Sequence, residues 1–304
     1  MEPGRPGDVG QPLPATFRHQ RLHRRARDAP ADHRREQGEL TGEAGDPVAP
    51  PAAFSIDGLV IGVTGAGKGI GRGIASQAVA AGARVFACSR TAADLASLQA
   101  EVAEFPGQCA TTVLDLSEPD AATAFADFGV QTYGRIDAVV NNVGGNLTKA
   151  ALDYTAAELD GLYALNLRST YLCCLAAARV MIDQQIAGSI VNISSRGSLV
   201  ASPWVTPYSA MKAGVNHLTR SLAVEWAEHG IRVNGVAPGA TLTPALQGHV
   251  DSTGVSLESL GARVPLGRRA NTVDDVVFPV LFLLSPAASM ITGQLVAVDG
   301  GSSL

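Results

Sequence analysis

Tyr208 and Lys212 have the side-chain types and the spacing that proton transfer requires. Positions four apart share one face of a helix, and Pro207, directly before the tyrosine, is typical of a helix start. A phenol ionises near pH ~10, and a neighbouring cation is expected to lower that pKa towards the working range of an acid–base catalyst. The same spacing also occurs on helix surfaces without a chemical role. Because this pair follows a predicted strand ending in Asn192-Ile193-Ser194-Ser195, we favour the catalytic interpretation.

A run of glycines, Thr64-Gly65-Ala66-Gly67-Lys68-Gly69-Ile70-Gly71, lies between the first predicted strand and the first predicted helix. Glycines there permit a tight turn and close approach of the backbone to a pyrophosphate, and the helix N-terminus supplies free N–H donors. The segment therefore predicts a dinucleotide site. A P-loop is a near miss, because Gly62-x4-Gly67-Lys68 would need Ser or Thr next for magnesium and position 69 is glycine. We disfavour an ATPase, and also glycines kept for packing alone.

Short apolar runs alternate with amphipathic stretches from Gly58 onwards. The runs are rich in Val, Ile and Leu without in–out alternation, which is typical of parallel strands covered on both faces. This repetition predicts an α/β fold: one Rossmann-type, doubly wound domain with a seven-stranded parallel sheet and helices on both faces. The predicted strands are Leu59–Val63, Arg84–Cys88, Thr111–Leu114, Ala138–Val140, Ser189–Ile193, Arg232–Val236 and Leu295–Val298. The predicted helices are Ile70–Ala81, Ala92–Glu104, Ala121–Tyr133, Ala156–Leu165, Thr170–Gln185, Tyr208–His229 and Val273–Leu284.

Residues 1–53 differ in composition from the rest of the chain. They hold eight of the 17 prolines, eight Arg, no Lys and eight acidic residues, so the net charge of −5 belongs to residues 54–304. We interpret residues 1–53 as a disordered or mis-annotated N-terminal extension, in preference to a basic arm for an anionic partner. Residues 54–304 are expected to form the folded domain.

Composition excludes several classes of protein. A negative net charge argues against a nucleic-acid binder. The longest apolar stretch, Val276–Leu284, has nine residues and contains Pro279, whereas a membrane span needs about 20. The four cysteines show neither metal-site spacing nor a disulfide pattern, and His217, His229 and His249 lack zinc spacing. We therefore expect no metal, no membrane and no nucleic-acid partner, and a reducing, cytoplasmic location.

The spacing Thr-Gly-x-x-x-Gly-x-Gly, together with Tyr-x-x-x-Lys, resembles the short-chain dehydrogenase/reductase family from about Gly58 to the C-terminus. Asn141-Asn142-Val143-Gly144 resembles the family's Asn-Asn-Ala-Gly, with Val143 in place of Ala. Pro265-Leu266-Gly267-Arg268 and Asp299-Gly300-Gly301 also follow the family layout. The resemblance implies that the cofactor contacts Gly65, Lys68, Gly69, Ile70, Gly71, Ser89, Arg90, Asp115, Leu116, Asn142, Gly144, Tyr208, Lys212, Pro238, Gly239, Thr241 and Thr243.

The resemblance also implies a catalytic set of Asn166, Ser195, Tyr208 and Lys212. In the family the serine lies thirteen residues before the tyrosine, at Ser195 here, and Ser194 is the alternative. Its hydroxyl would donate to the substrate carbonyl, Tyr208 would exchange the proton, Lys212 would bind the nicotinamide ribose, and Asn166 would help to hold a water. An Asn inside a helix is otherwise an ordinary residue whose burial requires a partner.

The residue that ends the second strand determines how the adenosine ribose is recognised. An acidic residue there would accept from a 2′-hydroxyl, whereas this chain has Ser89-Arg90, with Lys68 in the glycine turn. Two cations and a hydroxyl suit a dianionic phosphate, and in similar family members this pair of basic positions accompanies NADP(H). The alternative is that Arg90 lies in a solvent-exposed turn without a ligand. We predict NADP(H).

The resemblance implies an NADP(H)-dependent oxidoreductase acting on a small carbonyl or alcohol substrate, in the 3-oxoacyl-reductase-like branch. Enoyl reduction is disfavoured, because the family's enoyl reductases have six residues between Tyr and Lys and this chain has three. The alternative from another class is a non-catalytic NADP(H)-binding sensor or scaffold.

The family's tetramers imply a homotetramer or homodimer, with Glu225 and Trp226 at the interface. Arg196 is expected to form an internal salt bridge or to meet an acidic substrate group, and Trp204 to line the pocket or pack beneath it. Residues 245–264 correspond to the family's variable substrate-binding loop.

Overall fold

The computed structural model of this protein describes residues 52–304. Apart from positions 52 and 53, the predicted N-terminal extension lies outside the described residues. The strands are β1 (Val60–Thr64), β2 (Arg84–Ser89), β3 (Gln108–Val113), β4 (Ala138–Asn141), β5 (Ser189–Ile193), β6 (Arg232–Pro238) and β7 (Leu295–Val298). The helices are α1 (Gly69–Ala80), α2 (Ala92–Glu101), α3 (Ala121–Tyr133), α4 (Ala156–Tyr163), α5 (Ser169–Asp183), α6 (Thr206–Glu225), α7 (Pro244–Thr253), α8 (Leu257–Ala262) and α9 (Val273–Leu284).

The seven strands form one parallel sheet in the order β3-β2-β1-β4-β5-β6-β7. This arrangement confirms the predicted doubly wound fold. The chain builds outwards from β1 to β3, then returns to add β4 on the other side of β1, where Ile61 pairs with Ala138. The order therefore reverses between β1 and β4, and in such sheets a ligand cleft opens at that reversal, beyond the carboxyl ends of the strands.

Two apolar layers cover the two faces of the sheet. Ile61 and Val63 of β1 pack in the layer that contains Val277 of α9, whereas Val60 packs in the layer that contains Phe125 of α3. All five residues of β1 are buried. The central strands are therefore continuous apolar runs, because successive side chains enter opposite layers and both layers exclude water.

Phe86 of β2 explains why two glycines are required in this part of the core. Its ring is fully buried, and a Cβ added at Gly62 or Gly129 would lie 2.5 or 2.7 Å from the ring. Either substitution would force the ring or the backbone to move, and overpacking of this kind destabilises a core. The glycines thus allow the aromatic ring to fill the space between β1 and α3.

The structure reproduces four predicted elements to the residue, namely β5, β7, α3 and α9. The predicted break between two helices near Asn166 is absent, because a π-helical segment, Ala164–Arg168, joins α4 to α5. Residues 245–264, which correspond to the family's variable substrate-binding loop, contain most of α7 and all of α8, and neither helix was predicted. Thr243 caps α7 by accepting from the Leu246 amide, and Ser256 caps α8 in the same way from the Ser259 amide.

Candidate active site

A cleft of about 1050 Å³ opens beyond the carboxyl ends of the strands. This volume matches the upper range of ligand pockets. Gly71 and Asn166 lie behind the wall, and the other predicted site residues line the cleft: Gly65, Lys68, Gly69, Ile70, Ser89, Arg90, Asp115, Leu116, Asn142, Gly144, Ser195, Tyr208, Lys212, Pro238, Gly239, Thr241 and Thr243.

The glycine turn forms the floor of the cleft at the start of α1. Gly65 and Gly69 have φ angles of +66° and +57°, which side chains other than glycine rarely adopt. A Cβ at Gly71 would lie 2.3 Å from the carbonyl oxygen of Gly65, so glycine is required for the turn to pack on the helix. No side chain caps the first turn of α1, which begins at Gly69. Its N–H groups are therefore available for an anion.

Asn142 holds the end of β4 against the glycine turn. Its side-chain amide donates to the carbonyl oxygens of Thr64 and Gly65 at 3.1 and 3.2 Å. The Thr64 hydroxyl in turn accepts from the Asn142 and Val143 backbone amides at 2.9 and 3.2 Å. Val143, the departure from the family's Ala, lies against this junction, since a Cβ at Gly65 would meet its side chain at 3.1 Å.

Four charged side chains line the end of the cleft beyond β2 and β3. Lys68 lies 3.4 Å from the Asp94 carboxylate, and Arg90 lies 3.9 Å from that of Asp115. Asp94 was not among the site residues predicted from the sequence. An acid in the first turn of a helix is an ordinary stabilising feature, so nothing in its local sequence marks it as part of a site. The fold places it there by bringing the start of α2 against the glycine turn.

Lys212 is enclosed at the opposite end of the cleft. Its side chain is buried, and its ammonium donates to the carbonyl oxygen of Ile193 at 2.8 Å and lies 5.9 Å from the centre of the Tyr208 ring. Burial lowers the pKa of Lys212 to about 8. An amine in such surroundings holds its proton less tightly than one in water.

The structure corrects the expected pKa of Tyr208. Burial raises that pKa above its ordinary value, and a hydrogen bond with Ser195 opposes the rise without cancelling it. The expectation of a lowered value took account of the cation and not of the depth of the side chain. In the protein alone the phenol is therefore held in its protonated form, as a proton donor requires.

The two candidate serines have different partners. The Ser195 hydroxyl accepts from the Gly197 amide at 3.1 Å, lines the cleft together with Tyr208 and acts to lower the pKa of that phenol. The Ser194 hydroxyl bonds instead to the Asn216 side chain and to the carbonyl oxygen of Lys212. The geometry therefore favours Ser195 as the serine that meets a substrate.

Behind these serines lies a buried polar network that the sequence analysis missed. The Asn216 amide donates to the Ser198 hydroxyl at 2.8 Å, and that hydroxyl donates to the carbonyl oxygen of Ser195. Asn216 lies one turn beyond Lys212 on α6, and this spacing was the available signal. The network fixes the backbone that carries Ser195.

Asn166 lies in the π-helical segment and is fully buried. Its side-chain nitrogen donates to the carbonyl oxygens of Gly145 and Leu162 at 2.9 and 3.0 Å, and its side-chain oxygen accepts from the Gly145 amide at 3.0 Å. A Cβ at Gly144 would lie 3.0 Å from both the Asn166 side chain and the Lys212 ammonium. Asn166 thus fixes the loop beside Lys212, and its part in holding a water stays a prediction.

Three further expectations need correction. The internal salt bridge expected for Arg196 is absent, because its guanidinium donates instead to the Ser302 carbonyl oxygen at 2.9 and 3.0 Å. Its contact with an acidic substrate group stays a prediction. Trp204 neither lines the cleft nor packs beneath it, because it is 57% exposed. Trp226 belongs to the core at 6% exposure, since it packs with the apolar layer between the sheet and α6, and it is therefore not available at the surface of the single chain. Glu225 is exposed, and its place at an interface stays a prediction.

Residues 52–304 contain neither a membrane-spanning helix nor a cluster of metal-ligating side chains. None of the helices within residues 52–304 is both long and apolar enough to cross a membrane. In the same range no group of three or more His, Cys, Asp or Glu side chains is arranged to hold a metal ion. The absence of metal, membrane and nucleic-acid partners stays a prediction.

The donor set of the cleft fits a nicotinamide dinucleotide. The uncapped start of α1 suits a pyrophosphate, the close approach of β1 and β4 is maintained by glycines, and a buried ammonium lies beside a phenol. The site therefore offers an anion-binding end and an acid–base end within one cleft, which is the arrangement of a dinucleotide-dependent oxidoreductase.

Comparison with known proteins agrees with this class. The sequence profile of the family described as "Enoyl-(Acyl carrier protein) reductase" matches residues 65–303. L-xylulose reductase of Bos taurus is 42% identical over 239 residues, covering 79% of this chain and 94% of that protein. Carbonyl reductase (NADPH) 2 of Sus scrofa is 39% identical over 248 residues, covering 82% of this chain and 98% of that protein.

Similarity to a solved structure supports the same class of protein. The chain superimposes with a TM-score of 0.78 on 7α-hydroxysteroid dehydrogenase in complex with NADH and 7-oxo glycochenodeoxycholic acid. The two sequences are 32% identical, and the match covers 83% of this chain and 97% of that one. This protein belongs to the short-chain dehydrogenase/reductase family. It is an oxidoreductase that acts on alcohols or ketones.

Proposed function

We propose that this protein is an NADP(H)-dependent ketoreductase that interconverts a ketone and a secondary alcohol, with Tyr208 as the general acid and base. The observation that carries this proposal is the placement of Ser195, Tyr208 and Lys212 on one wall of the cleft, with the Lys212 ammonium 5.9 Å from the centre of the Tyr208 ring. A cofactor-binding sensor has no need of a proton donor at this position.

Each residue has a separate task in the proposed reaction. A bound nicotinamide supplies or accepts the hydride. Ser195 and Tyr208 hold the carbonyl oxygen by donating hydrogen bonds to it, and Tyr208 gives its proton to that oxygen during reduction. Lys212 presents its ammonium to the cofactor's ribose and keeps a positive charge near the phenol. Asn166 holds the Gly145 backbone beside that ammonium and assists the return of a proton from water.

NADP(H) is favoured over NAD(H) by the residues at the end of β2. Ser89, Arg90 and Lys68 line the cleft there, and β2 does not end in an acid that would repel a 2′-phosphate. One relative is named as using NADPH, whereas the hydroxysteroid dehydrogenase structure holds NADH. Calorimetric titration with NADP⁺ and NAD⁺ tests the preference, and tighter binding of NAD⁺ would contradict it.

The proposed substrate is a small ketone. The sequence resemblance favours a 3-oxoacyl thioester, whereas the relatives' names favour hydroxylated ketones such as L-xylulose and D-erythrulose. NADPH oxidation should therefore be followed with acetoacetyl thioesters and with both sugars. An enoyl thioester belongs in the same panel because of the description of the matching profile, and we expect no turnover with it because three residues separate Tyr208 from Lys212.

Tyr208→Phe tests the chemical assignment. Loss of the phenolic proton should lower kcat by about 10²–10⁴-fold with any ketone that the parent reduces. Cofactor binding, measured by calorimetry, should stay within a few-fold of the parent. A variant that reduces ketones as fast as the parent would refute the role of Tyr208. A parent that binds NADPH tightly and reduces no ketone in the panel would favour a sensor or scaffold.

We further propose a homotetramer, or a homodimer, in the cytoplasm. Val224 of α6 and Phe278 of α9 are 81% and 57% exposed in the single chain, and such apolar side chains suit a subunit contact. The cysteines at positions 88, 109, 173 and 174 are unpaired thiols, as a reducing compartment favours. Light scattering coupled to size-exclusion chromatography tests the assembly, and a monomer at micromolar concentration would contradict it.

A further inference from the structure

We propose that Asp94 limits the preference of the cleft for a 2′-phosphate over a 2′-hydroxyl. It does so by forming an ion pair with the Lys68 ammonium, which would otherwise be free to bind the phosphate. This inference rests on the proposed binding of NADP(H) and names a residue that determines the strength of that preference. Asp94 lies in the first turn of α2, and its carboxylate lies 3.4 Å from the Lys68 ammonium. Both side chains line the cleft, so the pair lies within the cofactor site.

Asp94 is held in place by close packing. A Cβ at Gly67 would lie 2.8 Å from the Ser89 hydroxyl and 3.1 Å from the Cβ of Asp94. The glycine turn, the end of β2 and the start of α2 therefore meet without a gap. Arg72 strengthens this junction, because one of its nitrogens donates to the carbonyl oxygens of Gly67 and Asp94, both at 3.3 Å.

The cations at this end of the cleft differ from Asp94 in their freedom to move. The side chains of Lys68 and Arg90 are 64% and 70% exposed, whereas that of Asp94 is 23% exposed. An incoming anion can draw the two cations towards itself, and the carboxylate stays on the wall. The phosphate must therefore compete with Asp94 for the same ammonium.

The charges of the four charged side chains that line this end of the cleft add to zero. Lys68 and Arg90 contribute two positive charges, and Asp94 and Asp115 contribute two negative charges. A dianionic 2′-phosphate thus enters a neutral environment, whereas Lys68 and Arg90 alone would present a doubly positive one. A neutral 2′-hydroxyl does not experience this difference. Removing the negative charge of Asp94 should consequently strengthen binding of NADP⁺ and leave NAD⁺ nearly unchanged.

The experiment compares Asp94→Asn with a matched control, Asp127→Asn. Asp127 is an exposed acid on α3 that does not line the cleft, so its substitution changes the net charge equally. The dissociation constants of NADP⁺ and NAD⁺ are measured by calorimetry for the parent and both variants. We expect the ratio of the NAD⁺ constant to the NADP⁺ constant to rise about tenfold in Asp94→Asn, as expected for charges a few ångströms apart near water. Asp127→Asn should leave the ratio within about twofold of the parent.

Asp94→Ser removes the same charge with a smaller side chain and should produce the same rise. Lys68→Met provides the second test, because in that background the substitution of Asp94 should change the ratio by much less. An unchanged ratio in Asp94→Asn and Asp94→Ser overturns the inference, as does an equal rise in Asp127→Asn. A parent that binds NAD⁺ more tightly than NADP⁺ overturns the proposed cofactor instead, and the comparison of the variants still measures the effect of Asp94.

Discussion

The buried ammonium of Lys212 predicts an unusual dependence of stability on pH. Burial lowers its pKa to about 8 from an ordinary value of 10.5. At about 1.4 kcal/mol per pH unit, keeping the amine charged in the folded protein costs about 3 kcal/mol.

The pH window of this effect follows from the order of the two pKa values. The folded protein releases the Lys212 proton near pH 8, whereas the unfolded chain retains it until about pH 10.5. Between these values the unfolded chain binds more protons, so the free energy of unfolding rises with pH. The cost is at full strength below pH 8 and is relieved above it. The Tyr208 pKa lies above its ordinary value, so the phenol does not titrate in the lower part of this window.

Urea unfolding of cofactor-free protein at pH 7, 8, 9 and 9.5 measures the effect, with Lys212→Met as the reference because it cannot titrate. Between pH 7 and 9.5 the parent should gain about 2 kcal/mol of unfolding free energy relative to this variant. Subtracting the variant at each pH removes the titration of other groups. A difference that stays constant within about 0.5 kcal/mol over the range would show that the ammonium carries no burial cost, and would refute the reasoning.

Two further substitutions test the packing around the acid–base end. Gly144→Ala places a Cβ 3.0 Å from the Lys212 ammonium and should lower kcat/KM by roughly tenfold, whereas Gly161→Ala, where a Cβ would meet nothing within 4 Å, should leave it unchanged. Equal losses in both variants would contradict a local effect. Asn216→Leu removes the amide bonded to Ser194 and should lower the unfolding free energy by about 1–3 kcal/mol in urea, because buried polar partners lose their hydrogen bonds. An unchanged unfolding midpoint would contradict this.

Much of the fold could be predicted because the burial of the central strands is visible in their own residues. Three of the five residues of β5, Ile190, Val191 and Ile193, are apolar, and α3 ends at Gly134, whose φ of +80° closes the helix. The π-helical segment could not be predicted, because Leu165-Asn166-Leu167 is compatible with any helical hydrogen-bond pattern. α7 and α8 were missed because their starts are determined by the local caps at Thr243 and Ser256 rather than by a periodic apolar face.

The contacts at the site also divide into those that could be predicted from the sequence and those that depend on the fold. Tyr208 and Lys212 lie on one helix, so their proximity follows from spacing. Asp94 and Lys68 lie on different elements, and their contact depends on how α2 packs on the glycine turn. The direction of the Tyr208 pKa was wrong because burial depth is a property of the whole fold, and sequence neighbours do not report it.

The position of β1 at the middle of the sheet has a consequence for synthesis on the ribosome. Ile61 needs Ala138 as its neighbour, and the intervening chain of about 77 residues takes roughly 4–15 s to be translated at common elongation rates. During that interval the emerging β1–β3 sheet presents an unpaired, apolar strand edge, which is a site for association with other nascent chains. Expression yield should therefore respond to codon changes that slow elongation between β3 and β4, even though the finished protein is identical.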